Sequence, residues 1–253
     1  MGTFESHSPS LLSRGEFGAE VGVPRLLGLL TRNRITTTFC IPTHTMQTFP
    51  AATHAIIEAG HEVAAHGVYH ERVPALATDE ERRLLELQIK LHHDLIGYRP
   101  VGYRSPAFDF SPRTLSLLEE FDFVWDSSLM GRDFTPYRPR PVIAIDRENG
   151  NTFGEPSPIV EIPVSWFLDD FPALETFPRG GALGSTETLF TRWKDHFDFA
   201  YRNGGGVMTI AVHPQTIGRA HAFVMLEHFV EYVQSHVEAY FTTLGEIAQS
   251  YHD

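Results

Sequence analysis

Four short β-rich runs in this 253-residue chain end on side chains that could bind a cation or move a proton. His66 and His70, in AAHGVYHE, follow EVAA (62–65). Arg104 closes VGYR (101–104), Asp126 closes FVWD (123–126), and His213 directly follows VMTIAV (207–212). Neutral imidazoles four residues apart can place two nitrogens on one cation in a helix or tight loop, leaving room for a carboxylate and a water. With 14 histidines in the chain, roughly 0.8 such pairs arise by chance. Spacing alone therefore leaves two readings level: paired ligands, or two surface histidines on a polar turn.

The positions gain weight from the elements that must carry them. ITTTFCI (35–41), EVAA, VGYR, FVWD, VEIPV (160–164), VMTIAV and AYFTT (239–243) have the length and composition of strands. Helical patterns lie between many of them. Thr78 to Glu81 reads as a capping box before Leu84, Leu87, Leu91 and Leu95. Ser111-Pro112 reads as an N-cap with proline in the first turn, opening a helix with Leu115 and Leu118. Leu189, Trp193, Phe197 and Tyr201 recur every four residues until Gly204–Gly206 stops the pattern. Strands alternating with helices predict an α/β fold with a mainly parallel sheet, because parallel neighbours need crossovers. Both a closed barrel and an open doubly wound sheet meet that condition. In either, the carboxyl ends of the strands converge on one site. Residues 127–158 and 167–184 are rich in Pro and Gly and read as long loops.

Composition narrows the partners. Twenty Lys and Arg against 32 Asp and Glu give a formal charge of −12 with no basic stripe, which argues against a nucleic-acid or anionic-membrane partner. No apolar run approaches the ~20 residues of a spanning helix. The opening MGTFESHSPSLLSRGEFG lacks an apolar signal core, and the one cysteine, Cys40, excludes an intramolecular disulfide. The chain reads as cytoplasmic, which favours a small soluble substrate. Cys40 reads as a buried, inert thiol. GGALGST lacks the Lys of a phosphate loop. Arg219 and His221 read as surface or subunit contacts, and Phe190, Trp193 and Phe197 as one helix's packing face.

Five ordered blocks carry a resemblance: SRGEFGAEVGVPRLLGLL, TTFCIPTHTMQTFPAATHAIIEAGHEVAAHGVYHE, GYRSPAFDFSPRTLSLLEEFDFVWDSSLM, VEIPVSWFLDD and TIAVHPQTIGR. Together, from about Ser8 to the C-terminus, they resemble the polysaccharide deacetylase family, also called the NodB-homology or carbohydrate esterase 4 family. The branch most resembled holds peptidoglycan-deacetylase-like proteins and cyclic imide hydrolases. The resemblance implies one domain over 1–253, a distorted (β/α) barrel of about seven parallel strands. It further implies a hydrolase of non-peptide C–N bonds in amides or cyclic imides, with a divalent metal, most often zinc. The substrate would be a small-molecule or amino-sugar amide, and the protein a homo-oligomer, often a tetramer. By the same resemblance His66 and His70 match the metal ligands. Arg104 matches the arginine that orients the general base, and His213 the general acid. Phe108, Trp166 and Asp170 would surround the substrate. A metal-free allantoinase branch is the alternative chemistry, against which His70 counts.

Physical chemistry supports that set independently. Amide hydrolysis needs an activated water, a stabilised oxyanion and a proton for the departing nitrogen. Zinc answers the first two needs, and His213 answers the third if a carboxylate supports it. Asp126 is the expected partner; its other reading is a turn residue capping SSLM. The sequence departs from the family pattern at its start. The family places an Asp-x-Asp pair, one a ligand and one the base, on a first strand ahead of the segment matched by SHSPSLLSRG. Here no Asp precedes Asp79, and Glu5 and Glu16 are the nearest carboxylates. Three expectations follow: a shortened chain lacking the first strand, an inactive family member with a binding or assembly role, or recruitment of Glu5 or another carboxylate.

Overall fold

The computed structural model describes residues 8–175 and 184–251. Helix α1 (Pro9–Phe17), a π-helical turn (Gly18–Gly22) and α2 (Val23–Asn33) run on from one another. Then come β1 (Thr38–Ile41), α3 (Thr43–Thr48), α4 (Pro50–Glu58), β2 (Glu62–Ala65), α5 (Thr78–Ile96), β3 (Gly102–Tyr103), α6 (Thr114–Glu120) and β4 (Trp125–Asp126). A hairpin of β5 (Val142–Ala144) and β6 (Thr152–Phe153) precedes β7 (Val160–Glu161). Helices α7 (Asp170–Leu174), α8 (Thr186–Arg202), α9 (Pro214–Ile217), α10 (Ala220–Gln234) and α11 (Leu244–Ser250) complete the chain.

The main sheet has the order β1-β2-β3-β4-β7 and is parallel throughout, the α/β class expected from the alternating pattern. Helices α3 to α6 supply the crossovers between its first four strands. One face receives Ala65, Tyr103, Leu115, Leu118 and Phe123; the other receives Ala64, Trp125, Val160 and Ile162, closed below by Ala248 of α11. Gly102 makes the second face possible, because a Cβ there would stand 1.9 Å from the Trp125 ring. A further core packs α2, α8 and α10 around Trp193, Ile217 and Phe229.

Five of the seven expected strands therefore enter the sheet, which is not closed into a barrel among the described residues. Residues 207–212 contribute one parallel bridge, Ala211 to Asp169, since the chain alongside turns into α7 after that contact. Residues 239–243 form no strand; just beyond them the Leu244 and Gly245 amides donate to the side chains of Thr38 and Glu62. The two expected loops contain structure: 127–158 holds the β5–β6 hairpin and 167–184 holds α7. Positions 180–183 of GGALGST lie outside the described residues, as does Glu5, while Glu16 is exposed on α1. Of the two expected caps, Ser111 accepts from the Arg113 amide at 3.0 Å, whereas the capping box at Thr78 is replaced. Glu81 accepts from the Ser111 and Thr114 hydroxyls, so it ties α5 to α6 rather than closing a capping box at Thr78. No helix is long and apolar enough to cross a membrane among the described residues.

Candidate active site

The turn after β2 carries the paired histidines. The Glu71 carboxylate closes it, accepting from the Val68 amide at 3.1 Å and the Tyr69 amide at 2.7 Å. Gly67 and His70 adopt left-handed backbone, at φ +76° and +59°, which folds the chain back so that the two rings meet edge-on with centroids 4.9 Å apart. His66 Nδ1–H donates to the Arg104 carbonyl oxygen at 2.7 Å. That bond fixes the tautomer and leaves Nε2 with its lone pair, the form a cation requires. Burial pushes the His66 pKa well below its ordinary value, with further lowering by His70 and Arg104. Burial likewise lowers His70 to about 4, helped by the charge of His213. Both rings are neutral at pH 7.

His213 differs. It precedes α9, and its backbone amide and Nδ1–H both donate to the Asp170 carboxylate, the ring at 2.8 Å. Asp169 Oδ1 lies 3.4 Å from the same nitrogen, and the Phe171 ring sits over the imidazole at 5.3 Å. Burial opposes its charge, yet Asp170 and Asp169 outweigh burial and raise the His213 pKa. Asp170, fully buried, is itself pushed up to about 6 by desolvation, against the pull of His213. Phe108, beneath the Arg104 guanidinium, packs with Val164 and with Ala211, two residues before His213, and the His66 ring bonds the Arg104 carbonyl, so the two turns are joined through the Arg104 loop.

Arg104 is aimed by β4. Its Nε donates to the Ser127 carbonyl at 2.8 Å and its Nη2 to the Ser127 hydroxyl at 2.6 Å, with the Phe108 ring 5.7 Å away. Ala107 and Phe108 are both left-handed (φ +57° and +56°), a strained pair steadied by the Phe108 amide bonding Ser105 and by Trp166 Nε1 reaching the Ala107 carbonyl. Trp166 is 54% exposed beside them, the exposed aromatic of the group.

Two sequence expectations are corrected by these contacts. Asp126 does not support His213: it accepts from the Ser128 hydroxyl at 2.8 Å and lies opposite Glu161, whose Oε1 accepts from the Ser128 and Leu129 amides. The register explains this, because Tyr103, Asp126 and Glu161 are aligned on one face of β3, β4 and β7, whereas the next residues, Arg104 and Ser127, turn to the other. The partner of His213 is Asp170, expected instead among substrate contacts. Asp169 and Glu161 went unnoticed in the sequence; the doublet in SWFLDD was the one available signal for Asp169, and nothing local marks Glu161. Cys40 is partly buried and its pKa is raised by burial, as an inert thiol requires.

Among the described residues, the group of three His, Cys, Asp or Glu close enough to share an ion is Asp169, Asp170 and His213. Its closest contact is a hydrogen bond, which already accounts for the geometry. His66 Nε2 and the neutral His70 ring offer the better donor chemistry for zinc.

The family model for polysaccharide deacetylases matches residues 14–124. The peptidoglycan deacetylase of Helicobacter pylori is 34% identical over 258 residues, covering 96% of this chain and 88% of its own length. The chain belongs to the polysaccharide deacetylase family. A Mycobacterium smegmatis structure assigned to the polysaccharide deacetylases superposes with a TM-score of 0.82 at 32% identity, covering 95% of this chain and 80% of that one. The Puue allantoinase structure gives a TM-score of 0.78 at 27% identity, covering 97% of this chain and 76% of the allantoinase. Membership in this family fits the α/β fold and a C–N hydrolase chemistry.

Proposed function

We propose that this protein is a divalent-metal-dependent hydrolase that removes acyl groups from the amide nitrogen of amino-sugar substrates. The observation that carries the reading is the contrast in partners of two imidazoles: His66 Nδ1–H bonds the Arg104 carbonyl and leaves Nε2 free, whereas His213 Nδ1–H bonds the Asp170 carboxylate. His66 and His70 would hold the metal, zinc by donor type; among the described residues no carboxylate groups with them, so water would fill the remaining positions. The chemistry such an ion supplies when bound is Lewis-acid activation of water and of the scissile carbonyl. His213 holds Nδ1–H toward Asp170 and delivers a proton from Nε2 to the departing nitrogen. Arg104, fixed by Ser127, contributes positive charge beside the developing oxyanion. Trp166 and Phe108 supply apolar faces for a sugar or acyl group. Association of copies belongs to the same reading, and the exposed Ile143 and Ile145 on and beside the hairpin support it.

A second substrate class, cyclic amides and imides, is favoured by the likeness to the allantoinase. Incubating the zinc-loaded protein with N-acetylglucosamine oligomers, peptidoglycan fragments, allantoin and a simple cyclic imide separates the two by acetate release against ring opening. Stoichiometric zinc with saturable turnover of one class is the expected result. Failure to bind zinc, or zinc binding without turnover, would leave a non-catalytic member of the family and overturn the hydrolase reading.

A further inference from the structure

The turn that follows His213 is gripped from behind by the N-terminal helices. Gly22, at the end of the π-helical turn, packs so closely that a Cβ would stand 2.2 Å from the Pro214 carbonyl oxygen. A Cβ on Gly218 would fall 2.7 Å from Gly22 Cα. One turn earlier, a Cβ on Gly18 would meet the Gln215 backbone nitrogen at 3.3 Å. Arg25 Nη1 donates to the Gly218 carbonyl at 2.6 Å, and Arg219 stacks 3.5 Å over the Phe17 ring. The wider π turn brings Gly18 and Gly22 onto the α9 side, and π segments of this kind recur at functional sites. In the other direction, the Thr216 and Ile217 amides bond the His213 carbonyl at 2.8 Å, while Asp170 takes the His213 amide and ring.

We propose that Gly22 and Gly218 are positioning residues for His213, their backbone contact setting the depth at which its imidazole meets Asp170 and the reacting group. The inference rests on reading His213 as the proton donor. A methyl on Gly22 cannot be absorbed by a flexible side chain, because the atom it strikes is backbone of the residue next to His213. The turn must retreat by about 1 Å, a displacement that costs about 10²-fold in rate when it misaligns a catalytic group. Gly28, on α2, is the internal control: its Cβ would meet the terminal nitrogen of Arg32 alone, at 3.3 Å.

The test is Gly22→Ala beside Gly28→Ala, in protein labelled with ¹⁵N-histidine, with the His213 ring assigned by the signals missing from His213→Gln. Gly22→Ala is expected to move the His213 ring nitrogen and carbon-bound proton shifts and to lower kcat about 10²-fold with KM little changed. Gly28→Ala is expected to leave both alone and to raise the unfolding temperature, as alanine does in an open helix position. If Gly22→Ala does not fold, Gly18→Ala decides, with a smaller displacement in the same signals. Unmoved His213 signals in the folded variant overturn the proposal. The ring signals read placement even if no amide is turned over, so failure of the hydrolase reading is distinguishable from failure of this one.

Discussion

The turn after β2 and the turn before α9 hold imidazoles of similar burial whose pKa values are pushed in opposite directions. His66 bonds a backbone carbonyl, a neutral acceptor too weak to repay the desolvation of a cation, and its pKa falls. His213 bonds Asp170 with Asp169 behind it, and its pKa rises. The difference lies in the acceptor, not in the depth. Here the carbonyl partner lets burial keep His66 neutral, and the carboxylate partners favour the charged form of His213. Under the proposed function the first arrangement would supply a cation-binding edge and the second a proton-bearing edge.

Exchanging these roles should give the largest effects. His66→Ala is expected to lose both zinc, measured by elemental analysis, and turnover; retention of a full equivalent of zinc would move the ligand role elsewhere. His213→Ala should keep the zinc and lose about 10³-fold in kcat, the range for a single acid. Asp170→Asn, which leaves the shape but removes the charge, is expected to cost about 10²-fold in kcat with zinc retained. Loss of zinc in that variant would instead make Asp170 a ligand in the Asp169–Asp170–His213 group.

The histidine edge was more legible in the sequence than the acid edge. His66 and His70 lie within one local turn, and the closing glycine and glutamate are within five residues of them, so the spacing carried the meeting of the two rings, though not their role. Asp170 reaches His213 across 43 positions, and no local pattern encodes that contact. Asp126 was misassigned for a related reason: strand alternation decides which face it occupies, and β4 is two residues long, too short to show a period. The parallel sheet was readable because its crossovers are long and amphipathic. The missing strands at 207–212 and 239–243 were not, because composition reports β preference while pairing depends on a neighbour.

A third buried group extends the comparison by withholding the imidazole. Asp126 and Glu161 are fully buried, each leaves one oxygen without a partner, and both pKa values are pushed up by desolvation and, for Glu161, by the neighbouring charge. Arg104, Tyr103, Tyr137 and Cys40 are titratable side chains around them. The pair holds a proton in the folded state that the unfolded chain releases near pH 4, so stability falls as pH rises above that value until the folded pair titrates. Glu161→Gln donates permanently to Asp126 and should flatten this loss, gaining about 1–2 kcal/mol relative to wild type between pH 4.5 and 7 in urea unfolding. Parallel pH profiles for the two proteins would mean that the carboxyls do not share the proton.

Trp166 tests the least committed part of the pocket. Its ring is exposed and its indole N–H reaches only the Ala107 carbonyl, so neither edge depends on it for protonation. Trp166→Ala is therefore expected to raise KM several-fold, leave zinc content unchanged and alter kcat little, as loss of uniform substrate binding does. A fall in kcat with KM unchanged would instead tie Trp166 to the left-handed Ala107–Phe108 turn, and through Phe108 to Arg104, giving the strained turn a share in placing the charge.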